Sequence, residues 1–362
     1  MEMKIDRANM RRIILDFPNQ FRIGVEAAKG VTLKPGVLMR WPENIIICGM
    51  GGSGLPGDIL VTLRPLDVFS YKTYHLPPQA GNESLIICIS YSGNTEETLS
   101  SFNEALSRNL PLISITTGGK LAKLSKKYDV PLVKIPGPLI PPRLALGEMT
   151  ASLIQVLVNH HILGPEISEE ILKVETFLDS EKPSTRAKLG AGPVPHRNEV
   201  SGAGPENQGK KLAEKIFEKI PIIYASRRFR EIGWIWKNSL NETAKVLAIC
   251  NYFPELNHNE TVGFWRINEM QIPNEKLYVI ILRDPEDSHP RILKQMEITR
   301  DLIKREGIKV EIIDMKGKTM LEKIFSSIIL GFWTAYWLAL EYKVDPTPIK
   351  TIEEFKRRLK ED

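Results

Sequence analysis

Apolar residues fall along this chain in two kinds of run. Short consecutive runs of Ile, Val and Leu recur between stretches in which apolar positions return every three or four residues, the pattern of buried strands alternating with amphipathic helices. In the first half, strands are expected at 44–50 (NIIICGM), 84–90 (SLIICIS), 112–116 (LISIT) and 131–135 (PLVKI). The second half repeats the rhythm at 220–225 (IPIIYA), 245–249 (KVLAI), 277–282 (LYVIIL) and 310–315 (VEIIDM). A strand that is apolar on consecutive positions is covered on both faces, which implies parallel sheets flanked by helices. The expected fold is therefore α/β, with two doubly wound subdomains rather than one barrel. The segment 180–208 is dense in Gly, Pro, Ser and charge and lacks an apolar period, so it reads as a linker or mobile loop. It divides the chain into an N-terminal domain at 1–179 and a C-terminal domain at 209–362.

One segment tests a soluble reading. Residues 324–340, IFSSIILGFWTAYWLAL, fall short of the ~20 residues that span a bilayer and are interrupted by Ser326, Ser327 and Thr334. A helix buried in a core or subunit interface is the expectation, and no membrane partner is implied. Composition agrees: 42% hydrophobic and 26% charged residues are what a folded globular chain carries, and 362 residues suffice for two cores. A net charge of +5 is too slight for a polycationic surface, so nucleic acid is not an expected partner. Cys48, Cys88 and Cys250 have no Cys-x-x-Cys spacing, which suggests neither a disulfide framework nor a thiolate metal cluster and fits a reducing compartment. The opening MEMKIDRANMRR is followed by no apolar run of the kind a signal peptide needs, so a cytoplasmic protein is expected.

The first strand runs into GMGGSG at 49–54 and then a helical pattern with Pro56 in its first turn. Strand, glycine turn and helix N-terminus together let backbone N–H groups approach an anion. Gly49, Gly51 and Gly54 fit G-x-G-x-x-G, but no acidic ribose partner ends the next strand, so the dinucleotide fingerprint is incomplete. Taken alone, the motif also suits a tight turn with no ligand.

The second strand ends in SYSGNTEET at 90–98 and opens another helix. Ser90, Ser92 and Thr95 present three hydroxyls around Gly93 and Asn94, more than a helix cap from Ser92 or Thr95 requires. With neither a Walker lysine nor a metal-binding aspartate, such a cradle suits a phosphate monoester carried on a substrate. A sugar phosphate is the leading ligand, with Gly51, Gly52, Ser53, Ser90, Ser92 and Thr95 as its phosphate-binding residues.

GMGGSG followed by SYSGNTEET resembles the sugar isomerase (SIS) domain, over both halves of the chain. More narrowly, TTGGKLAKL (116–124), PPRLALG (141–147), LNETAKV (240–246), PELNHNE (254–260) and VDPTPI (344–349) resemble the bifunctional phosphoglucose/phosphomannose isomerase family. The resemblance implies interconversion of glucose 6-phosphate and fructose 6-phosphate, and also mannose 6-phosphate, by proton transfer through a cis-enediolate without a metal or other cofactor. It assigns Glu242, in the N-E-x-A-K motif, as the C1/C2 base; by residue chemistry alone Glu242 is one solvated glutamate among many. His258 would open the sugar ring, and related isomerases receive this histidine from a neighbouring subunit, which implies a homodimer with a shared active site. Arg143, isolated among apolar residues, needs an anion partner; an ion pair with Glu148 is one answer, and the resemblance implies a place beside the enediolate oxygens. A lysine of the last helix would meet the ring oxygen, with Lys356 the better match and Lys350 the other candidate. One departure stands out: relatives tend to carry an arginine near Trp236 where this chain has Ile235.

No His, Asp and Glu cluster has metal-ligand spacing, so no metal site is expected and activity should survive a chelator. Two other functions compete. A glucosamine 6-phosphate synthase-like enzyme would carry a glutaminase domain, for which 1–44 is too short. A non-catalytic sugar-phosphate-binding SIS protein would have no use for Glu242 with His258.

Overall fold

The computed structural model describes residues 5–38, 41–63, 67–137, 139–181, 204–265, 273–286, 288–359 and 361. Its strands are β1 Asn44–Cys48, β2 Asp67–Tyr71, β3 Ser84–Ile89, β4 Leu112–Thr116, β5 Leu132–Lys134, β6 Ile220–Ser226, β7 Ile249–Phe253, β8 Leu277–Arg283 and β9 Lys309–Asp314. The first helices are α1 Met10–Asp16, α2 Asn19–Ala28, α3 Leu55–Leu63, α4 Glu96–Ser107, α5 Gly119–Lys127, α6 Leu146–Asn159 and α7 Pro165–Ser180. After them come α8 Pro205–Ile216, α9 Arg230–Ser239, α10 Glu260–Trp265, α11 Pro290–Arg305, α12 Met320–Glu341 and α13 Lys350–Arg358. The chain forms two compact units. The N-terminal unit is Leu15–Ser180 with Gly317–Glu322, and the C-terminal unit is Met1–Ile14, Glu181–Lys316 and Lys323–Asp362.

The N-terminal unit holds a five-stranded, wholly parallel sheet in the order β2-β1-β3-β4-β5. The consecutive apolar run of each central strand is explained by its two covered faces. Ile45, Ile47, Leu85 and Ile87 join a core with Met149 and Leu153 of α6, whereas Ile46, Cys48, Ile86 and Cys88 face Phe102 of α4 and Leu121 of α5. Helices α2 and α6 approach closely, because a Cβ on Gly24 would stand 2.2 Å from the Glu148 carbonyl oxygen.

The C-terminal unit repeats the plan with four parallel strands in the order β7-β6-β8-β9. Its core joins Ile222 and Tyr224 of β6, Val279 and Ile281 of β8, and Met296 and Ile303 of α11. Helix α12 is long and apolar enough to cross a membrane by composition, but 89% of its apolar window is buried inside the protein. Its apolar character is thus that of a core helix, as the interrupting hydroxyls suggested.

Three sequence expectations shift. Strand β2 was not foreseen: it is an edge strand, and DVFSY lacks the unbroken apolar run of its neighbours. The strand expected at 245–249 begins at Ile249, because 240–244 continue as helix and Lys245 caps that helix in the left-handed conformation. Of the linker 180–208, residues 182–203 lie outside the described residues, while 205–208 open α8 with Pro205 in its first turn. The grouping of 5–14 with the C-terminal unit has a visible tie, a two-pronged ion pair from Arg11 Nε and an Nη to the buried Glu206 carboxylate at 2.7 and 3.1 Å.

Candidate active site

In the N-terminal sheet, the chain leaves β1 toward β2 on one side and leaves β3 toward β4 on the other. Their carboxyl ends therefore flank a topological switch point, the place where open parallel sheets bind ligands. Both expected turns end there. Gly51–Gly54 form one short 3-10 turn that runs into α3. Ser53 is buried, and its Oγ accepts the Tyr91 N–H at 2.9 Å, so the hydroxyl proton remains available to donate to a ligand. On the β3 side, fully buried Ser90 donates to Thr95 Oγ1 at 3.0 Å, and Ser92 Oγ accepts the Asn94 N–H at 3.3 Å. Thr95 is the N-cap residue of α4 but makes no side-chain cap bond, so the first N–H groups of α4 are not consumed by it. Glu96 is exposed, and its Oε2 accepts the Tyr74 hydroxyl at 3.5 Å.

Glycine is required here for contact between main chains. Gly93 has φ +67°, and a Cβ on it would lie 1.8 Å from the Gly118 carbonyl oxygen. That approach lets Leu121 N–H reach the Gly93 carbonyl at 2.8 Å and Lys120 N–H reach Asn94 Oδ1 at 3.1 Å. A third turn, Pro142–Leu144, lies against the first: a Cβ on Gly52 would be 2.5 Å from Arg143 N and 2.5 Å from Pro142 C. Arg143, 6% exposed, is thereby held at the glycine turn.

Several residues support these turns, and of them the sequence reading had singled out only Glu148. The Gln20 side chain donates to the Leu144 carbonyl at 2.7 Å and accepts from Gly147 and Glu148 N–H at 2.9 and 3.3 Å, clamping the start of α6. Glu148 is buried, and burial pushes its carboxyl up to about 7 against the opposing hydrogen bond of Tyr91; its Oε1 has no hydrogen-bond partner. Burial likewise raises the Tyr91 phenol. Lys72 lays its stem beside Gly54 and pairs with buried Asp58, which also accepts from Ser70 Oγ at 2.7 Å. Lys72 follows directly on the unforeseen β2, and the Gln20 contact joins residues more than a hundred positions apart; neither has a local signal.

In the C-terminal unit, Glu242 sits on a π-helical turn, Leu240–Ala244, that continues α9. This corrects the expected position beside a strand at 245–249. Single π turns of this kind are frequent at functional sites. Lys245 closes the turn with φ 60° and ψ 30°, its N–H bonded to the Leu240 carbonyl and its Nζ to the carbonyls of Glu242 and Pro346. Trp236 of α9 donates to Ser327 Oγ of α12 at 3.1 Å, and Ile235 is buried in the core.

His258 is exposed at the end of the 3-10 turn Glu255–His258, just after β7 and the cis Phe253–Pro254 bond. Lys350 and Lys356 both lie on α13, a helix with no buried residue. His160, the residue that caps α6, serves structure: its Nε2 accepts the Leu33 N–H at 2.9 Å. Among the described residues, no three His, Cys, Asp or Glu side chains gather as a metal-binding set.

Residues 205–359 match the family model described as "Bacterial phospho-glucose isomerase C-terminal SIS domain". A bifunctional phosphoglucose/phosphomannose isomerase of Caldicellulosiruptor bescii is 33% identical, over 96% of this chain and 98% of its own. Another of the same name, from Aquifex aeolicus, is 30% identical over 96% and 98%. Among solved structures, the C-terminal domain of glucosamine-fructose-6-phosphate aminotransferase from Francisella tularensis superposes with a TM-score of 0.69 at 14% identity, covering 94% of this chain and 98% of that one. That last likeness concerns the fold alone, whereas the near-full-length relatives define the family. This chain, with its two parallel-sheet units, its Gly-Ser cradle and its N-E-x-A-K turn, belongs to the bifunctional phosphoglucose/phosphomannose isomerase family.

Proposed function

We propose that the protein interconverts glucose 6-phosphate and fructose 6-phosphate, and mannose 6-phosphate with them, by shuttling a proton between C1 and C2 through a cis-enediolate. The observation that carries this reading is the convergence of three turns of the N-terminal unit, with the Gly51–Ser53 and Ser90–Thr95 turns joined by the Ser53–Tyr91 bond and the Arg143 turn packed on Gly52. The phosphate is held by main-chain N–H groups at Gly51 and Gly52 and by the hydroxyls of Ser53, Ser90, Ser92 and Thr95, which suit an anion that must be bound but not cleaved. Arg143 supplies positive charge beside the enediolate oxygens, a fixed charge placed where negative charge develops. Glu242 is the base. His258 opens the ring, and Lys356, or Lys350 from the same helix, meets the ring oxygen. Action on both epimers requires rotation about C2–C3, so that either face of the intermediate is protonated.

A homodimer with a shared active site is part of the proposal, with His258 given to the partner's substrate. Its support is that α10 and α11, which pack against each other beside the His258 segment, leave Val262, Ile298 and Leu302 exposed. The reaction would place the protein among the cytoplasmic hexose phosphate steps of glycolysis and gluconeogenesis. The deciding experiment is incubation of the pure protein with fructose 6-phosphate and identification of products by NMR. Both aldose phosphates are expected, and Glu242→Gln should lower turnover about 10³-fold, within the range for loss of a general base. Near-normal turnover of that variant would sink the mechanism.

A further inference from the structure

The segment that carries His258 is tied down on every side except at His258 itself. Asn257 Nδ2 donates to Thr299 Oγ1 of α11 at 2.6 Å, and Asn259 Nδ2 donates to Glu255 Oε1 at 3.1 Å. Asn259 Oδ1 in turn accepts the Glu260 N–H at 2.6 Å. Glu260 then reaches down into the sheet. Its Oε1 accepts the hydroxyl of Tyr224 at 2.5 Å, and its Oε2 accepts Nδ2 of Asn251. Tyr224 belongs to the central strand β6 and is fully buried, and Asn251 stands one strand away on β7, held by its own Oδ1 accepting the Tyr252 N–H at 2.8 Å. A carboxylate gripped by two donors from adjacent strands has one geometry, so the backbone two residues before it has little freedom. The sequence offers no reason for so deep an anchor: Glu260 opens a six-residue helix at the surface, where a glutamate usually needs no partner.

We infer that Glu260 is a positioning residue for His258, with the Tyr224–Glu260–Asn251 clamp fixing the histidine where the ring oxygen of a cyclic sugar phosphate is protonated or deprotonated. This rests on the proposed isomerase reading, in which His258 opens the ring. Glu260 touches no substrate. Loss of the clamp leaves the imidazole chemistry intact but lets the segment wander, and even ~1 Å of misplacement can cost up to 10²-fold in rate.

The experiment separates ring opening from proton transfer. Exchange NMR on fructose 6-phosphate measures enzyme-catalysed interconversion of its anomers in the wild type, Tyr224→Phe, Glu260→Ala and Glu260→Gln, each alone and combined with His258→Ala. Tyr224→Phe is expected to slow anomer exchange about ten-fold in the wild-type background and less than about two-fold once His258 is gone, since residues acting through one group are not additive. KM should stay within about two-fold, because the clamp holds no part of the substrate. Glu260→Gln, which can still accept from Tyr224, should retain more activity than Glu260→Ala. The same loss in both backgrounds, or no loss in Tyr224→Phe, overturns the inference. A second readout is independent of activity: the His258 ring resonance, single and sharp in the wild type, should broaden or shift in Tyr224→Phe. If it does not, the clamp fails as a positioning device even where the enzyme is active; if it does in a protein that makes no aldose phosphate, the clamp stands and the isomerase reading fails.

Discussion

At position 52 there is room for a hydrogen atom and nothing larger. A methyl group there would stand 2.5 Å from backbone atoms of Pro142 and Arg143, which cannot step aside as the tip of a side chain could. Gly52→Ala should therefore push the Arg143 turn off the cradle, with about 1–3 kcal/mol of overpacking read in urea denaturation and a fall in kcat/KM of at least about ten-fold. Glu148 gives a different test. Burial raises its carboxyl from the ordinary 4.5 to about 7, so the folded protein holds this proton more tightly than the unfolded chain does. The sign follows: the associated stability is complete below pH 4.5, falls as pH rises to about 7, and is flat beyond. Glu148→Gln should remove that slope and raise stability at pH 8 by up to about 3 kcal/mol, with little change at pH 4.5. Denaturation midpoints at the two pH values check it, and an unchanged slope would mean that Glu148 is not the titrating group.

Among the elements, what could be read in advance was what depends on neighbours in sequence. The central strands announced themselves because both their faces are covered, and the Gly-Ser turns because φ and hydroxyl spacing are local properties. The start of β7 could not be read that way. Val246–Ala248 has the apolar character of a strand, yet α9 runs on through a π turn before the chain becomes extended, and what holds α9 there comes from 80 to 100 residues downstream. Trp236 bonds to Ser327 of α12, and Gly331 lies under the same indole, with a Cβ there only 3.0 Å from its ring. Gly331→Val should thus displace α9 and the Glu242 turn together, costing about 1–3 kcal/mol of stability. It should also lower kcat more than KM, since the proposed phosphate cradle belongs to other elements. Thermal denaturation and steady-state kinetics read the two effects; a variant with full kcat would show that α9 does not transmit the displacement to Glu242.

For the whole molecule, one plan is used twice. Both sheets place their first strand between the second and third, yet only the N-terminal sheet ends its first and third strands in small, hydroxyl-bearing turns; the C-terminal sheet ends β6 in Ser226-Arg227-Arg228 and β8 in Arg283-Asp284. The two-domain plan was visible in the rhythm of apolar runs, whereas this difference between the two sheets was visible only in the residues at the strand ends. The proposed dimer is tested at the same scale. Glu242→Gln and His258→Ala, each inactive alone, are mixed under conditions that exchange subunits. If each site draws these two residues from different chains, the hybrid dimer has one site with neither substitution, and about a quarter of wild-type activity should return. No recovery in a mixture shown to contain hybrids would place both residues in one chain's site.

The meeting of Gly93 with Gly118, and of Gly119 with Ser92, main chain against main chain, has a corollary for anyone who evolves this protein in the laboratory. In the proposed phosphate site, much of the grip would come from main-chain atoms, so libraries at Ser90, Ser92 or Thr95 should retune it by degrees. Libraries at Gly93 or Gly119 can only break it. New specificity would have to be sought in the side chains around the proposed sugar site, because the main-chain contacts at Gly93 and Gly119 admit no substitution.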